Sequence, residues 1–338
     1  MRQFFATFCL AMLLVSCGGG SGSTTDVTPP PASGPTPAEI LEAQLEGLSL
    51  NEFYEASYAA LLYRSPETII WQALTGPYPL DEVGLDDISA AYRRDTLAMY
   101  EVVLEALRAY DAAGLSPADK LSYDFYEWYL RDAVDGQDFL YYPFVAAYNF
   151  MGEHTGTETF FTEIHPLRSV DDANDYITRL QDVPRKFGDL VEFLDLQNGA
   201  GIVEPRLTIG YSLYGIDQIA DATAASVSYY TAFRDKLGDI EGLSDVDRQA
   251  LLNRALAATR DHVIPAYRAL RSKLQQLHGL APSTIGVRQY PMGREYYDYT
   301  LRHRTTTDLS AAEIHQLGRD HLQRVHAEMR VIFDELGY

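Results

Sequence analysis

From residue 38 onward, nearly every strong pattern in this sequence has one period: apolar residues recur three and four apart, and the runs stop at Gly or Pro. A strand would alternate with period two, so this repeat predicts an all-α domain over 38–338. The predicted helices cover 38–64, 89–112, 116–135, 169–197 (kinked or divided at Pro184), 216–238 and 244–278 (interrupted at Pro265). Ser116, Pro117 and Asp119 give the third of these a complete start signal. The last long helix begins at Ser310, which forms a capping box with Glu313, and Gly337 can close it. Its apolar stripe is Ile314, Leu317, Val325, Ile332 and Leu336, with His321 on the same face. Residues 139–166 read as a loop carrying a short helix. At most a small β element is expected near 283–292, where Thr284, Ile285 and Val287 suit a strand and Pro291 ends it.

The first 37 residues follow another rule. Arg2 precedes an apolar run from Phe4 to Val15, broken only by Thr7, that closes on Ser16-Cys17. A membrane-spanning helix needs about 20 apolar residues, and this run is shorter, so 1–16 reads as an export signal. Leu14-Val15-Ser16-Cys17 resembles the lipobox of bacterial lipoproteins, which makes Cys17 the expected lipidation site and the membrane a partner through its lipid. The alternative is an ordinary secretory signal ending near a cysteine. Cys9 would leave with the signal, so a lipidated Cys17 leaves no disulfide, and the fold must rest on its core. Gly18 after the cysteine resembles lipoproteins sent to the outer membrane of Gram-negative cells, facing the periplasm. Residues 17–37 otherwise hold Gly, Ser, Thr, Pro and Ala with few other residues, a composition that reads as a flexible tether.

The formal net charge is −21, and the basic residues, nearly all arginine, are scattered through helical stretches, so no nucleic-acid partner is expected. None of the eight histidines is followed by Glu, as a helical zinc-hydrolase motif requires. His315, His321 and His326 are spaced six and five apart, which spreads them around a helix. His154 and Glu158 are four apart, but the intervening Thr155-Gly156-Thr157 argues against a helix there. Gly210-Tyr211-Ser212-Leu213-Tyr214-Gly215 imitates a nucleophile elbow with its second glycine one residue late. Paired carboxylates across a cleft could hydrolyse a glycoside, but acidic helix starts account for most of those present. The chain holds 24 tyrosines, enough to line a substrate groove or to fill helix interfaces.

The segment from Gly293 to Gly318, with Glu295-Tyr296-Tyr297, Leu301-Arg302, Thr305-Thr306-Thr307-Asp308-Leu309 and Glu313-Ile314-His315-Gln316-Leu317-Gly318, resembles the signature of the DUF885 family. Weaker likeness at Gln137-Asp138-Phe139 and His165-Pro166-Leu167 extends it over roughly residues 40–338. The resemblance implies a helical bacterial protein, often a lipoprotein, with a fold similar to gluzincin zinc peptidases. Its members carry a His-Glu-x-x-Pro-Gly-His-His motif well beyond the equivalent of Tyr338. This chain is therefore expected to supply the N-terminal half of a cleft, with zinc and the catalytic residues belonging to a full-length homologue and no metal ligand here. Such a part would expose apolar helix faces. Tyr297, Arg302 and His303 become the candidates for contact with a peptide substrate, through a bidentate arginine and hydroxyl or imidazole donors. Alternatively Tyr296 and Tyr297 pack the core, while Thr305 to Asp308 end one helix and cap the next. A non-catalytic lipoprotein that binds a peptide or glycan is the rival reading.

Overall fold

The computed structural model describes residues 34–146 and 152–338 of the protein. The export signal, Cys17 and nearly all of the tether lie outside the described residues. From Thr36 onward the chain forms one contact unit. It is all-α, with no strand among the described residues. No described helix is long and apolar enough to cross a membrane.

The predicted helix over 38–64 is two helices, α1 (Pro37–Leu45) and α2 (Leu50–Leu62). Gly47 separates them at φ +73°, a left-handed conformation that glycine adopts without steric cost, and a capping box between Ser49 and Glu52 restarts the helix. After α3 (Pro66–Trp71) come α4 (Ala90–Arg108) and α5 (Pro117–Asp135), the latter capped by Ser116 as its sequence predicts. Helices α1, α2, α4 and α5 enclose a first core around Leu41, Phe53, Val103, Leu107 and Leu130.

A second and larger core begins with α6 (Glu153–Thr159), which runs into a π-turn at Phe160–Ile164. Thr155-Gly156-Thr157 thus lie inside a helix, against expectation. Burial of His154, Thr157, Phe160 and Phe161 outweighs their weak propensity. Next is α7 (Val170–Gly199), undivided at Pro184. That proline sits on the exposed face, where water can satisfy the carbonyl its missing N–H leaves free, while Val183 and Phe187 beside it are buried.

The helix expected over 216–238 is likewise two, α8 (Arg206–Ala220) and α9 (Ser228–Leu237). A short 3₁₀ turn at Ala224–Ser226 parts them, with Ser226 donating to the Thr223 carbonyl. Helices α10 (Asp245–Ala258) and α11 (Ile264–Leu280) are joined by a π-turn at Thr259–Val263. Pro265 falls in the first turn of α11, where a missing N–H costs least. Helix α11 packs on both α7 and α8.

Residues 283–292 are not extended. They form a 3₁₀ turn at Val287–Gln289 and fold back so tightly that a Cβ on Gly293 would stand 2.1 Å from the Val287 carbonyl oxygen. Glycine there permits α12 (Gly293–Thr305) to start. Both ends of α12 are left-handed at residues other than glycine, Met292 at φ +48° and Thr306 at φ +55°. The chain ends in α13 (Ala311–Leu336), with the predicted Ser310–Glu313 capping box and Gly337 cap. None of its residues is buried.

Candidate functional site

Helix α12 is fastened to the C-terminal end of α5. His303 Nδ1 lies 2.5 Å from Asp132 Oδ2, Arg302 pairs with Asp135 at 3.2 Å, and the Tyr299 hydroxyl donates to the Asp132 carbonyl at 3.2 Å. A Cβ on Gly136 would come within 2.4 Å of the Tyr299 hydroxyl, so this approach depends on glycine. The inner side of the junction is an aromatic layer in which Tyr296 and Tyr299 pack on Phe139 and Tyr142.

Between this junction and the start of α4 lies a groove of about 610 Å³. Tyr92, Tyr100, Tyr296 and Tyr299 supply ring surface, and Arg64, Arg93, His303 and Arg304 supply charge or donors. Arg64 stacks on the Tyr92 ring and donates to the Thr96 hydroxyl and the Tyr92 carbonyl at 2.9 Å each. Among the described residues neither Arg64 nor Arg304 has a carboxylate ion-pair partner. Arg304 can therefore turn its whole guanidinium fork to an anionic group, while Arg64, whose Nε and Nη2 are engaged, offers its Nη1.

The carboxylate of Asp132 is only 7% exposed, and its Oδ1 has no hydrogen-bond partner. The His303 Nδ1–H tautomer donates to Oδ2 across this short contact and presents Nε2 as an acceptor. A histidine oriented in this way can receive or return a proton.

Charge also collects beneath the groove, where Asp86 and Glu153 line its wall. Buried Lys186 of α7 donates to both Glu67 oxygens, at 2.7 and 2.9 Å, with Glu153 at 3.9 Å. Burial alone would lower the Lys186 ammonium, but Glu67, Glu153 and Asp86 outweigh it and hold it above the ordinary lysine value. Asp86 is pushed up to about 6, by burial first and then by the neighbouring Glu67.

Of the three residues singled out from sequence, His303 lines the groove. Arg302 is engaged with Asp135 and lies over the Tyr299 ring, and Tyr297 is 44% exposed on a part of α12 that does not line the groove. Tyr296 belongs instead to the aromatic layer. Sequence reading missed Arg64, Arg304 and Asp132. Ser212 of the imitation elbow is fully buried in α8 and donates to the Ala146 and Thr208 carbonyls, so its hydroxyl cannot reach a substrate. Among the described residues no three His, Cys, Asp or Glu side chains converge as a metal site would need. The groove's own donors therefore do not fit a zinc ion.

A family model described as "Bacterial protein of unknown function (DUF885)" matches residues 71–338, which includes α12 and the whole groove wall from Asp86 onward. The chain belongs to the DUF885 family. This DUF885 protein is also similar to a solved structure, the "putative lipoprotein from Colwellia psychrerythraea", with a TM-score of 0.78 and 18% identity over 88% of this chain. The match covers 52% of the Colwellia chain, so this protein spans about half of that structure's length. At such identity the likeness is one of fold. No curated protein matches.

Proposed function

We propose that this DUF885 protein is held at the bacterial cell envelope by lipid on Cys17, facing the periplasm, and that its groove binds the carboxylate end of peptides. In this reading the chain is the substrate-binding, non-catalytic part of a zinc-peptidase-like hydrolase. The zinc and its ligands would belong to the remainder of a longer homologue. The observation that carries the reading is Arg64 and Arg304 without carboxylate partners, beside tyrosine rings and the oriented His303. A guanidinium fork matches a carboxylate bidentately, and tyrosines bury peptide side chains while keeping a hydroxyl for the backbone.

The chain's own residues do three things. Arg64 and Arg304 receive the carboxylate, the tyrosine layer excludes water from the peptide body, and His303 Nε2 accepts a hydrogen bond from a peptide N–H. No bond-breaking step follows from these groups.

Calorimetric titration with trialanine and with its C-terminal amide tests the reading. The free acid should bind at least tenfold tighter than the amide, and Arg304→Ala should erase the difference. Equal affinity of acid and amide, or no binding of either, contradicts it.

A further inference from the structure

A second depression, of about 380 Å³, lies between α2, α5 and the segment after α3, and its composition is unlike that of the groove. Its lining contains the aromatic side chains of Tyr54, Tyr58, Tyr78, Phe125 and Tyr126, with Glu55 as the one charged residue. Two of these rings are left largely in solvent, Tyr58 at 44% and Phe125 at 66% exposed, although the first core lies directly beneath them. Rings held in the open next to a core they could join are an exposed apolar surface with a use.

The rings are arranged in near-perpendicular pairs. Tyr58 and Tyr78 have centroids 5.9 Å apart at 66°, and Tyr54 and Tyr126 are 5.6 Å apart at 75°. In such pairs the two ring planes point in different directions, and each ring face carries the negative lobe of the quadrupole. Glu55 is exposed and makes no ion pair among the described residues, so its negative charge is uncompensated. No lysine or arginine lines the depression. Ring faces and a free carboxylate both favour a cation, and the apolar walls favour one whose surface is methyl groups.

We infer that the depression walled by Tyr54, Tyr58, Tyr78, Phe125 and Tyr126, with Glu55 at its rim, is a binding site for a quaternary ammonium group. A lysine ammonium fits less well, because it is strongly hydrated and the walls are chiefly ring surface. A trimethylammonium group keeps its charge at every pH, loses little hydration and meets the ring faces directly. The site is separate from the groove and does not depend on the reading given for it. Its ligand could arrive as a free small molecule or as the headgroup of a lipid. The chemistry recognised is the same.

The test is a titration of the protein with choline and with 3,3-dimethylbutan-1-ol, the neutral isostere in which carbon replaces nitrogen, followed by tyrosine fluorescence and calorimetry. Choline should bind at least tenfold more tightly than the isostere. Single cation–π contacts change affinity by about twofold to fivefold at exposed sites and by about thirtyfold when desolvated, so Tyr58→Ala and Phe125→Ala should each weaken choline by a factor within that span. Glu55→Gln should weaken it severalfold, and His303→Ala should leave it unchanged. Tyr58 and Phe125 are exposed enough that their variants keep the parent's circular dichroism, which separates lost binding from lost folding. Co-sedimentation with phosphatidylcholine vesicles but not phosphatidylglycerol vesicles, lost in Tyr58→Ala, assigns the ligand to a headgroup. Choline binding without such sedimentation assigns it to a free solute. Equal binding of choline and the isostere, or no binding of choline, overturns the inference.

Discussion

Two long amphipathic helices in this molecule meet opposite fates. Helix α7 has thirty residues and buries twelve of them, among them Tyr176, Leu180, Phe187 and Leu190. Helix α13 has twenty-six residues with an equally regular apolar stripe and buries none. Leu317, Leu322, Val325, Met329, Ile332 and Phe333 all stand at 40% exposure or more. An amphipathic period states what a helix can bury, and only a partner decides whether it does. Helix α7 has α10 and α11 as partners, whereas nothing among the described residues covers α13. Isolated helices are marginal in water, so α13 relies on its capping box, its Gly337 cap and pairs such as Arg324–Glu328 at 3.0 Å.

The largest effect that separates the two helices should come from Lys186→Met in α7. It leaves Glu67 without its counter-ion in a largely buried position, and breaking a buried pair costs about 3–5 kcal/mol. Urea unfolding checks this, and a loss below about 1 kcal/mol would break the comparison at its strongest point. Leu190→Ala, fully buried in the same helix, should cost about 2–5 kcal/mol in the same assay. Leu322→Ala in α13 should stay within about 0.5 kcal/mol of the parent. A matching loss at both leucines would mean that α13 is packed after all.

Between these lies Gly136→Ala, which forces the Tyr299 ring away from α5 and should cost about 1–3 kcal/mol through overpacking. Unlike a core change, it should also move the groove wall. Trialanine binding should therefore fall with it, and unchanged binding would detach α12 from the site.

Buried titratable groups give the body a pH dependence. Burial pushes Glu204 up to about 7 from an ordinary value near 4.5, so between those values the folded state holds a proton that the unfolded state has lost. Stability from this group therefore falls as pH rises from about 4.5 to 7. His165 runs the other way. Burial, and then the adjacent Arg179, lower it to about 3 from 6.5, so its share is lost as pH falls below 6.5. Glu204→Gln should match the parent's urea midpoint near pH 4.5 and exceed it above pH 7. A constant difference across that range would count against the assignment. The smallest contrast is in amide exchange, where α7 should be protected at the level of global unfolding and α13 only at that of local fraying.

Much of this fold can be read from helix punctuation. Ser116, Ser310–Glu313 and Gly337 mark ends that the structure reproduces, because a cap is a local hydrogen bond needing no distant partner. The errors fall where tertiary burial overrides local preference, as at Thr155-Gly156-Thr157, or where one glycine divides a continuous pattern, as at Gly47. Pro184 misleads for a related reason, since only the fold shows that it faces water. The site was less legible. The signature around Tyr296 to Thr307 drew attention to α12, yet which of its side chains enter the groove depends on the face that α5 covers. Arg64 and Asp132 lie far from that signature in sequence, and nothing local marks them.

The central claim is that function resides in the groove at α12 and not on the open face of α13. Backbone amide chemical shifts recorded during a trialanine titration test it most directly. Perturbations centred on 92–100 and 292–306, and abolished in Arg304→Ala, are the predicted result. Perturbations centred on 311–338, or none at saturating peptide, would contradict it.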